Sequence, residues 1–295
     1  MKSQQIEILC LGEVLIDLIA GNKLACFNRF FGGSPANVAI HLAKLKHKTA
    51  FAGCVGGDFL GDFIIKVFES NKVNISLLSR SSFYPTSIVL INETRDPPFP
   101  IYHKSADYRY SFSRELRHMI SQIKIFHTSA HALSFSPMRE TVLEALKLAE
   151  EMGKIISFEP NYRPQINAEY ENYKAAVLEA ITYVDIVKPS MDDVMELFGK
   201  SLSPHESIFN FKDLGVKKTV ILTCGSKGVY YNDEDQNIQY KAVIPIKDVV
   251  GITGAGDAFW AGFLSSILKN QSVSRAVQSG IVVASKKIKY QGAIN

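Results

Sequence analysis

Apolar residues recur along the chain either in short continuous runs or in longer segments with helical spacing. The first run, residues 6–11, is apolar throughout its second half and ends at Gly12, as expected of a buried strand. The segment that follows Ser34-Pro35 instead repeats its apolar residues every three or four positions, and a serine before a proline is a common helix start. The chain therefore opens with a strand followed by a helix.

The same two patterns continue to the end of the chain. Further strands are predicted at residues 49–55, 124–127, 155–158, 183–187 and 218–223, and further helices at residues 59–68, 136–153, 170–180, 191–198, 255–268 and 273–287. Strands that alternate with helices indicate a parallel sheet covered by helices on both faces. The pattern therefore predicts an α/β fold of three layers.

Residues 79–110 depart from this alternation. Residues 87–91 alternate like a strand, Asp96-Pro97-Pro98 is typical of a turn, and residues 101–110 are polar and aromatic. This pattern indicates a group of strands outside the main sheet. Since no repeat or linker is visible, we predict one α/β domain over residues 1–295, with a small β-sheet lid formed by segments of about 13–31 and 84–111.

Composition narrows the function classes. The 295 residues are 46% hydrophobic and 21% charged, with a net charge of +4, and the lysines and arginines are scattered, which argues against nucleic-acid binding. The four cysteines form no C-x-x-C pair and no metal-like spacing, and such thiols are usually small buried hydrophobic residues in a reducing cytosol. The sequence shows neither a signal peptide nor an apolar segment of membrane-spanning length. We therefore expect a soluble cytoplasmic protein without a nucleic-acid or membrane partner.

The most informative segment is Gly254-Ala255-Gly256, here called the glycine cradle, together with Asp257. Small residues lead directly into an apolar helix, and the free backbone N–H groups at such a helix start attract negative charge. An acidic side chain at this position is unusual. Asp257 either favours the helix start as a cap, or accepts a proton beside a phosphoryl group held by the cradle, as a kinase requires. The segment alone leaves both interpretations open.

Two familiar nucleotide motifs are absent from the sequence. A P-loop needs G-x-x-x-x-G-K-[ST], which does not occur. A dinucleotide fingerprint needs G-x-G-x-x-G after the first strand, whereas the cradle comes late and Phe259 stands at the third glycine position. Neither a P-loop site nor an NAD site is expected.

A second group of candidate residues lies near the amino terminus. The Gly32-Gly33 pair lets a ligand approach the backbone closely, and Asn37 adds a donor and an acceptor. Asp17 follows the first strand, at the edge where α/β sheets bind ligands, and its carboxylate could accept two sugar hydroxyls. In isolation these residues fit a plain turn, a helix start and a solvated loop equally well.

These segments together resemble the two signatures of the ribokinase-like (PfkB) carbohydrate kinases. The early signature is GGSPANVAIHLAKL at residues 32–45 and the late one is GITGAGDAFWAGFL at residues 251–264. Weaker matches follow in the family's order: GEVLIDL at 12–18, FEPNYRP at 158–164, KPSMDD at 188–193 and TCGSKG at 223–228. The resemblance covers essentially the whole chain. It implies a Rossmann-like domain with a β lid that closes over the sugar.

The resemblance also implies roles for individual residues. Asp257 would be the general base and the cradle, Gly254, Ala255 and Gly256, would be the anion hole. The residues implied to bind the sugar or lie near it are Asp17, Gly32, Gly33, Asn37 and Arg163. Those implied on the ATP side are Ser190, Asp193, Thr223, Gly225 and Gly228, with Asp193 reaching Mg²⁺ through a water. ATP and Mg²⁺ are the expected cofactors.

Three positions depart from the family pattern. Gly251 stands where relatives carry an aspartate that helps hold a monovalent cation, which puts activation by potassium in question. Ser190 stands for the asparagine of the family's Asn-x-x-Glu segment, and Asp193 for its glutamate. Lid strands of the family often pair between subunits, which would give a homodimer, although no residue of this sequence points to one.

The implied reaction is transfer of the ATP γ-phosphoryl group to a sugar hydroxyl, and the details are most similar to fructokinases. Tyr102-His103-Lys104 stands where kinases of 2-keto-3-deoxygluconate tend to carry Tyr-Arg, which favours a neutral ketohexose. Kinases of 2-keto-3-deoxygluconate or of nucleosides remain alternatives. A further alternative is a non-catalytic relative that binds a sugar or a nucleotide. In that case Gly251 and Ser190 would be early signs that catalytic activity is being lost.

Overall fold

A computed structural model describes residues 5–20, 26–91, 101–103, 105–164, 170–243 and 245–294. The strands among them are β1 (Ile8–Leu11), β2 (Leu15–Ala20), β3 (Phe27–Gly32), β4 (Thr49–Gly56), β5 (Asn74–Ser81), β6 (Ile88–Ile91), β7 (Ile101–His103), β8 (Ile125–Ser129), β9 (Ile155–Glu159), β10 (Ile186–Val187), β11 (Thr219–Thr223), β12 (Val229–Asn232) and β13 (Ile238–Lys241). The α-helices are α1 (Ser34–Lys44), α2 (Phe59–Ser70), α3 (Arg114–Gln122), α4 (Met138–Glu151), α5 (Tyr170–Thr182), α6 (Met191–Phe198), α7 (Pro204–Asp213), α8 (Ala255–Leu268) and α9 (Val273–Lys287).

The central sheet confirms the predicted α/β class. Its order is β13-β12-β11-β10-β9-β8-β1-β4-β5, and every pairing from β5 to β11 is parallel. Only β12 and β13 run antiparallel to their neighbours. Because parallel strands need crossover connections, helices cover both faces of the sheet.

Alternate side chains of the strands pack into two separate cores. On β1, Ile8 and Cys10 belong to the cluster that includes apolar residues of α1, α2, α8 and α9. Leu9 and Leu11 belong to the other cluster, which includes apolar residues of α3 to α7. Since successive strand residues point to opposite faces, the continuous apolar run of β1 is explained by burial on both faces.

A second, smaller sheet has the order β3-β2-β6-β7. Strands β2 and β3 pair antiparallel, with Asp17 opposite Phe30 and Leu15 opposite Gly32, whereas β2 and β6 pair parallel. These strands lie within the two segments from which the lid was predicted. That this sheet closes over a substrate stays a prediction, and the predicted turn at Asp96 falls outside the described residues.

Several elements were not predicted from the sequence. They are β5, β12, β13, α3 and α7. Helix α3 shows why, because its only buried residues are Leu116 and Ile120 in an otherwise polar segment. One helix boundary also needs correction: Ser34 was expected as the N-cap of α1, but Gly33 is the N-cap and Ser34 is the first helical residue.

Within the described ranges, no helix combines the length and the apolar character that a membrane crossing requires.

Candidate active site

The predicted site residues gather at one edge of the central sheet. The carboxyl ends of β9, β10 and β11 lie there, together with the loop that leaves β1. The amino-terminal ends of α1 and α8 meet above this edge, where Ser34 and Asn37 of α1 contact Asp257 of α8. Ligands of open α/β sheets bind in this crevice.

Asp257 is a buried carboxylate in the first turn of α8. Its Oδ2 accepts a hydrogen bond from Asn37 Nδ2 at 2.7 Å, and its Oδ1 accepts one from Ser34 Oγ at 2.8 Å. Asp257 is not the N-cap of α8, because Gly254 occupies that position and no side chain caps it. The helix-cap interpretation therefore loses its basis, and the carboxylate is held in place by two side chains of α1.

A second buried carboxylate lies beside Asp257. Glu159, the last residue of β9, has its Oε2 at 3.0 Å from Ser34 Oγ, so it competes with Asp257 for the single hydrogen of this hydroxyl. Its Oε1 is 2.6 Å from Nζ of Lys188, which follows β10, and both side chains are almost fully buried. Because a buried charge is costly unless paired, the ion pair stabilises both groups at this position.

The surroundings of Asp257 favour its protonated form. Burial and, after it, the negative charge of Glu159 raise the pKa of its carboxyl, which lies at about 7. The hydrogen bonds from Asn37 and Ser34 and the positive charge of Lys188 act in the opposite direction. A carboxyl that titrates near neutral pH can accept a proton and release it again, which is what a general base needs.

The glycine cradle lies directly over the ion pair. A methyl group at Gly256 would come within 3.2 Å of Lys188 Nζ and 3.6 Å of Glu159 Oε1. The Ala255 N–H donates to the Ile252 carbonyl at 3.0 Å, so this donor is already in use. The N–H groups of the next residues lie in the first helical turn, where no carbonyl precedes them at the right distance. A negative group at the cradle would therefore meet these N–H groups and the Lys188 ammonium.

Asp17 lies on the small sheet with its carboxylate against Gly32. A methyl group at Gly32 would approach Asp17 Cγ to 2.6 Å, so only a glycine leaves room for this side chain. The next residue, Gly33, has a φ of 105° and begins α1. Asp17 is thus connected through two glycines to the helix that carries Ser34 and Asn37.

Arg163 and Asp193 form an ion pair next to the start of α6. Asp193 Oδ1 accepts from Tyr162 N at 2.9 Å and from Arg163 Nη1 at 3.2 Å. Its Oδ2 accepts from Ser190 N at 2.8 Å and Ser190 Oγ at 2.7 Å. Asp193 N in turn donates to Ser190 Oγ at 3.1 Å, so Ser190 and Asp193 form a capping box, a reciprocal pair of bonds that stabilises a helix start.

Three of the five residues predicted for the ATP side, Thr223, Gly225 and Gly228, lie together at the end of β11. Thr223 donates its N–H to the Pro189 carbonyl at 2.9 Å and forms a bridge with Ser190. Gly225 and Gly228 flank the short turn that joins β11 to β12, and both have positive φ angles. Since Lys188 directly precedes Pro189, this group adjoins the ion pair beneath the cradle.

Reasoning from sequence did not assign a role to three residues that the structure places in the site. Glu159 and Lys188 lie inside the quoted segments FEPNYRP and KPSMDD, and Ser34 was considered only as a helix cap. The available signal was positional, because each charged residue directly ends an apolar strand. A charged residue at the carboxyl end of a parallel strand faces the ligand crevice.

Comparison with known proteins identifies the family. Residues 5–295 match the pfkB family carbohydrate kinases, and the chain therefore belongs to this family. The predicted family and the predicted enzyme class, a carbohydrate kinase, are confirmed.

Individual relatives agree with this assignment. The chain is 34% identical over 293 residues to the ATP-dependent 6-phosphofructokinase of Thermoanaerobacterium thermosaccharolyticum, covering 98% of this chain and 89% of the relative. It is similar to the structure of Halothermothrix orenii fructokinase, with 33% identity, a TM-score of 0.81 and coverage of 93% and 98% of the two chains. It is also similar to Vibrio cholerae O395 fructokinase in a form with fructose, ADP and calcium bound, with 25% identity, a TM-score of 0.85 and coverage of 99% and 95%.

Proposed function

We propose that the protein transfers the γ-phosphoryl group of Mg·ATP to a hydroxyl group of fructose. The observation that carries this proposal is the position of Asp257, a buried carboxylate with a pKa raised to about 7, directly after the glycine cradle. A proton acceptor beside an anion-binding helix start is the combination that phosphoryl transfer to an alcohol requires.

In the proposed reaction Asp257 accepts the proton of the sugar hydroxyl while the oxygen attacks the phosphorus in line. The free N–H groups at the start of α8 and the Lys188 ammonium stabilise the negative charge on the phosphoryl oxygens. Asn37 and Ser34 keep the Asp257 carboxylate oriented towards the hydroxyl. Closure of the small sheet over the sugar would exclude water, which otherwise competes as the acceptor.

Asn37 is proposed to bind the sugar as well as to orient the base. Its Oδ1 is buried and accepts no hydrogen bond from the described residues, whereas its Nδ2 is bound to Asp257. A buried acceptor without a donor is costly, so a sugar hydroxyl that donates to Oδ1 would relieve this cost. Asp17 and the Gly32-Gly33 backbone would bind further hydroxyls from the side of the small sheet.

The ATP side is proposed at the ends of β10 and β11, with Thr223, Gly225 and Gly228 along the nucleotide. The four donors on Asp193 use the acceptor positions of its carboxylate. We therefore assign Asp193 to holding Arg163 and the start of α6, rather than to binding magnesium through a water. Mg²⁺ enters with ATP as part of the substrate, and Arg163 lies where it can approach the phosphates.

Fructose 6-phosphate is a second candidate acceptor, because the relative with 34% identity is named as a 6-phosphofructokinase. A phosphate ester needs cationic partners near the sugar. Arg29 lies opposite Leu18 in the register of β2 and β3, and Asp17 lies opposite Phe30, so Arg29 and Asp17 are on opposite faces of the small sheet. The Arg29 guanidinium stacks on Phe63, 4.0 Å from the ring centroid. This arrangement favours the unphosphorylated sugar, and Lys104 is outside the described residues.

Release of ADP by the purified protein tests the proposal. The protein is supplied with Mg·ATP and, separately, fructose, fructose 6-phosphate, 2-keto-3-deoxygluconate, 5-dehydro-2-deoxygluconate, ribose and adenosine. The expected result is the highest kcat/KM with fructose. Preference for fructose 6-phosphate would support the second candidate, and preference for another acceptor would overturn both. ADP release that no acceptor stimulates would favour the non-catalytic alternative.

A further inference from the structure

The last residue of α9 is a buried lysine that has no part in the reaction described above. Lys287 is only 3% exposed, whereas its neighbour Lys286 is exposed. Taking an ammonium group out of water is costly unless several acceptors surround it. The burial of Lys287 therefore requires acceptors that stabilise its ammonium group.

The Lys287 ammonium binds two backbone carbonyl groups. Its Nζ donates to the Gly251 carbonyl at 3.1 Å and to the Tyr290 carbonyl at 3.3 Å. The same two segments are joined by the backbone bonds from Val250 N and Gly251 N to the Ile288 carbonyl, at 2.8 and 3.3 Å. The ammonium thus ties the loop before the glycine cradle to the segment that follows α9.

Both of these segments position the cradle. Gly251 is three residues before Gly254 in the sequence, and a methyl group on Gly254 would come within 2.6 Å of Ala293 Cα. The Ala293 carbonyl is in turn 3.0 Å from Nε2 of His41 on α1. Displacement of either segment would therefore move the anion-binding N–H groups relative to Asn37, which lies one turn before His41 on α1.

The positive charge of Lys287 affects the pKa of His41, which lies on the neighbouring helix α1. Burial lowers the pKa of His41, and the positive charges of Lys44 and Lys287 act in the same direction, against the effect of the Ala293 carbonyl. The resulting pKa is about 4. Of the two residues whose carbonyl groups Lys287 binds, Gly251 has no side chain that could bind a cation. Backbone carbonyl oxygens are the ligands with which proteins bind potassium, and here an ammonium group takes two of them.

We propose that Lys287 is a built-in cation, a positioning residue whose fixed ammonium orders the loop of residues 251–254 and makes the enzyme independent of potassium. The proposal rests on the carbohydrate-kinase reaction proposed above. It explains why a glycine is sufficient at position 251, where the resemblance implies an aspartate that helps hold a monovalent cation. The charge that a free cation would supply is provided by the chain itself.

The first test uses the wild-type protein in buffer whose only monovalent cation is tetramethylammonium, which is too large to enter a small carbonyl site. Addition of KCl or NH₄Cl is expected to leave both kcat and the melting temperature unchanged, relative to addition of more tetramethylammonium chloride. Activation or stabilisation that is specific to potassium would overturn the proposal. The melting temperature gives this answer even if no acceptor is turned over, which would be a failure of the proposed function instead.

The second test compares Lys287→Met with Lys286→Met, which removes an exposed charge next to it. Lys287→Met is expected to lower kcat at least about tenfold with little change in KM for the sugar, because misplaced reacting groups slow the chemical step. Potassium or ammonium should restore part of kcat and of the melting temperature, since either ion can occupy the vacated carbonyl site. An unchanged kcat, or an equal loss in Lys286→Met, would overturn the proposal. If Lys287→Met does not fold, the potassium response of the wild type decides alone.

Discussion

Glu159 and Asp257 each place a carboxylate oxygen on the same hydroxyl group, that of Ser34, at 3.0 and 2.8 Å. The serine hydroxyl has one hydrogen and can donate it to only one of them. When both carboxylates are ionised, one contact therefore brings two lone pairs together. A single additional proton removes this conflict, and Lys188 at 2.6 Å from Glu159 favours its location on Asp257.

Substitution of the proposed base should affect turnover much more than binding. Asp257→Asn is expected to lower kcat by roughly 10²–10⁴, the usual contribution of a general base, while ATP affinity stays nearly intact. Steady-state ADP release gives kcat and calorimetric titration gives the ATP affinity. Asp192→Asn, on the exposed side of α6, is the matched control and should behave as the wild type. Near-normal turnover of Asp257→Asn would end the assignment of the base.

The pH dependence of kcat/KM should follow the ionisation of the Asp257 carboxyl. Asp257 must be ionised to accept a proton, so kcat/KM is expected to rise with pH through a midpoint near 7. Glu159→Gln removes a neighbouring negative charge and should move the midpoint to lower pH. Lys188→Met removes a positive charge and should move it to higher pH.

The two variants in this pH experiment have opposite expected signs, which a general disturbance of the site would not produce. Glu150→Gln serves as the control, because Glu150 pairs with Lys217 on the surface. Other titratable groups near this edge are unchanged in all three variants; they include Glu13, which accepts from Ser34 N, and Asp17, His41, His127, Arg163, Asp193 and Lys287. Shifts of the midpoint in the same direction for Glu159→Gln and Lys188→Met would contradict the arrangement.

Ionisation of Asp257 should also cost stability. Its native pKa of about 7 is above the ordinary value of 3.8, so the folded protein binds this proton more tightly than the unfolded chain does. The contribution to the free energy of unfolding is therefore present at acidic pH and is lost as pH rises towards 7. Asp257→Asn is expected to melt at a higher temperature than the wild type at pH 8, because its free energy of unfolding is higher by on the order of a few kcal/mol, and this gain should be smaller at pH 5. A lower melting temperature at pH 8 would contradict this expectation.

The cradle should not tolerate a side chain at Gly254. Its φ of 77° disfavours other residues, and a methyl group would also clash with Ala293. Gly254→Ala is expected to lower both the melting temperature and kcat. Gly153→Ala is the matched control, because Gly153 has a φ of 63° but no atom within 4 Å of an added methyl group, so its cost should be limited to about 1 kcal/mol. Equal effects of the two substitutions would show that the clash at Gly254 is unimportant.

Periodicity was a good guide where an element is buried. The continuous apolar run of β1 and the apolar helix α8 were predicted correctly, because burial on several sides dictates their composition. Helix α3 was missed because two buried side chains give too little pattern. The antiparallel strands β12 and β13 were also missed, since each has only four residues and the edge strand β13 has no buried residue.

The residues of the candidate site could be predicted from the sequence, but the hydrogen bonds between them could not. Asp257, Asn37 and the cradle could be named from their motifs, and the structure brings them together. The bond from Ser34 to two carboxylates depends on the three-dimensional meeting of α1, β9 and α8, which no spacing in the sequence encodes. The roles of these residues in binding and catalysis stay predictions that the substitutions above test.

The bonds between α1 and Asp257 join positions 223 and 220 residues apart. During synthesis on the ribosome, the proposed sugar-side residues of α1 therefore emerge long before the proposed base on α8. A nascent or truncated chain that lacks α8 therefore has neither the base nor the anion cradle. With these roles for Asp257 and the cradle, such fragments would not transfer the phosphoryl group of ATP, and activity would begin only after α8 has been synthesised.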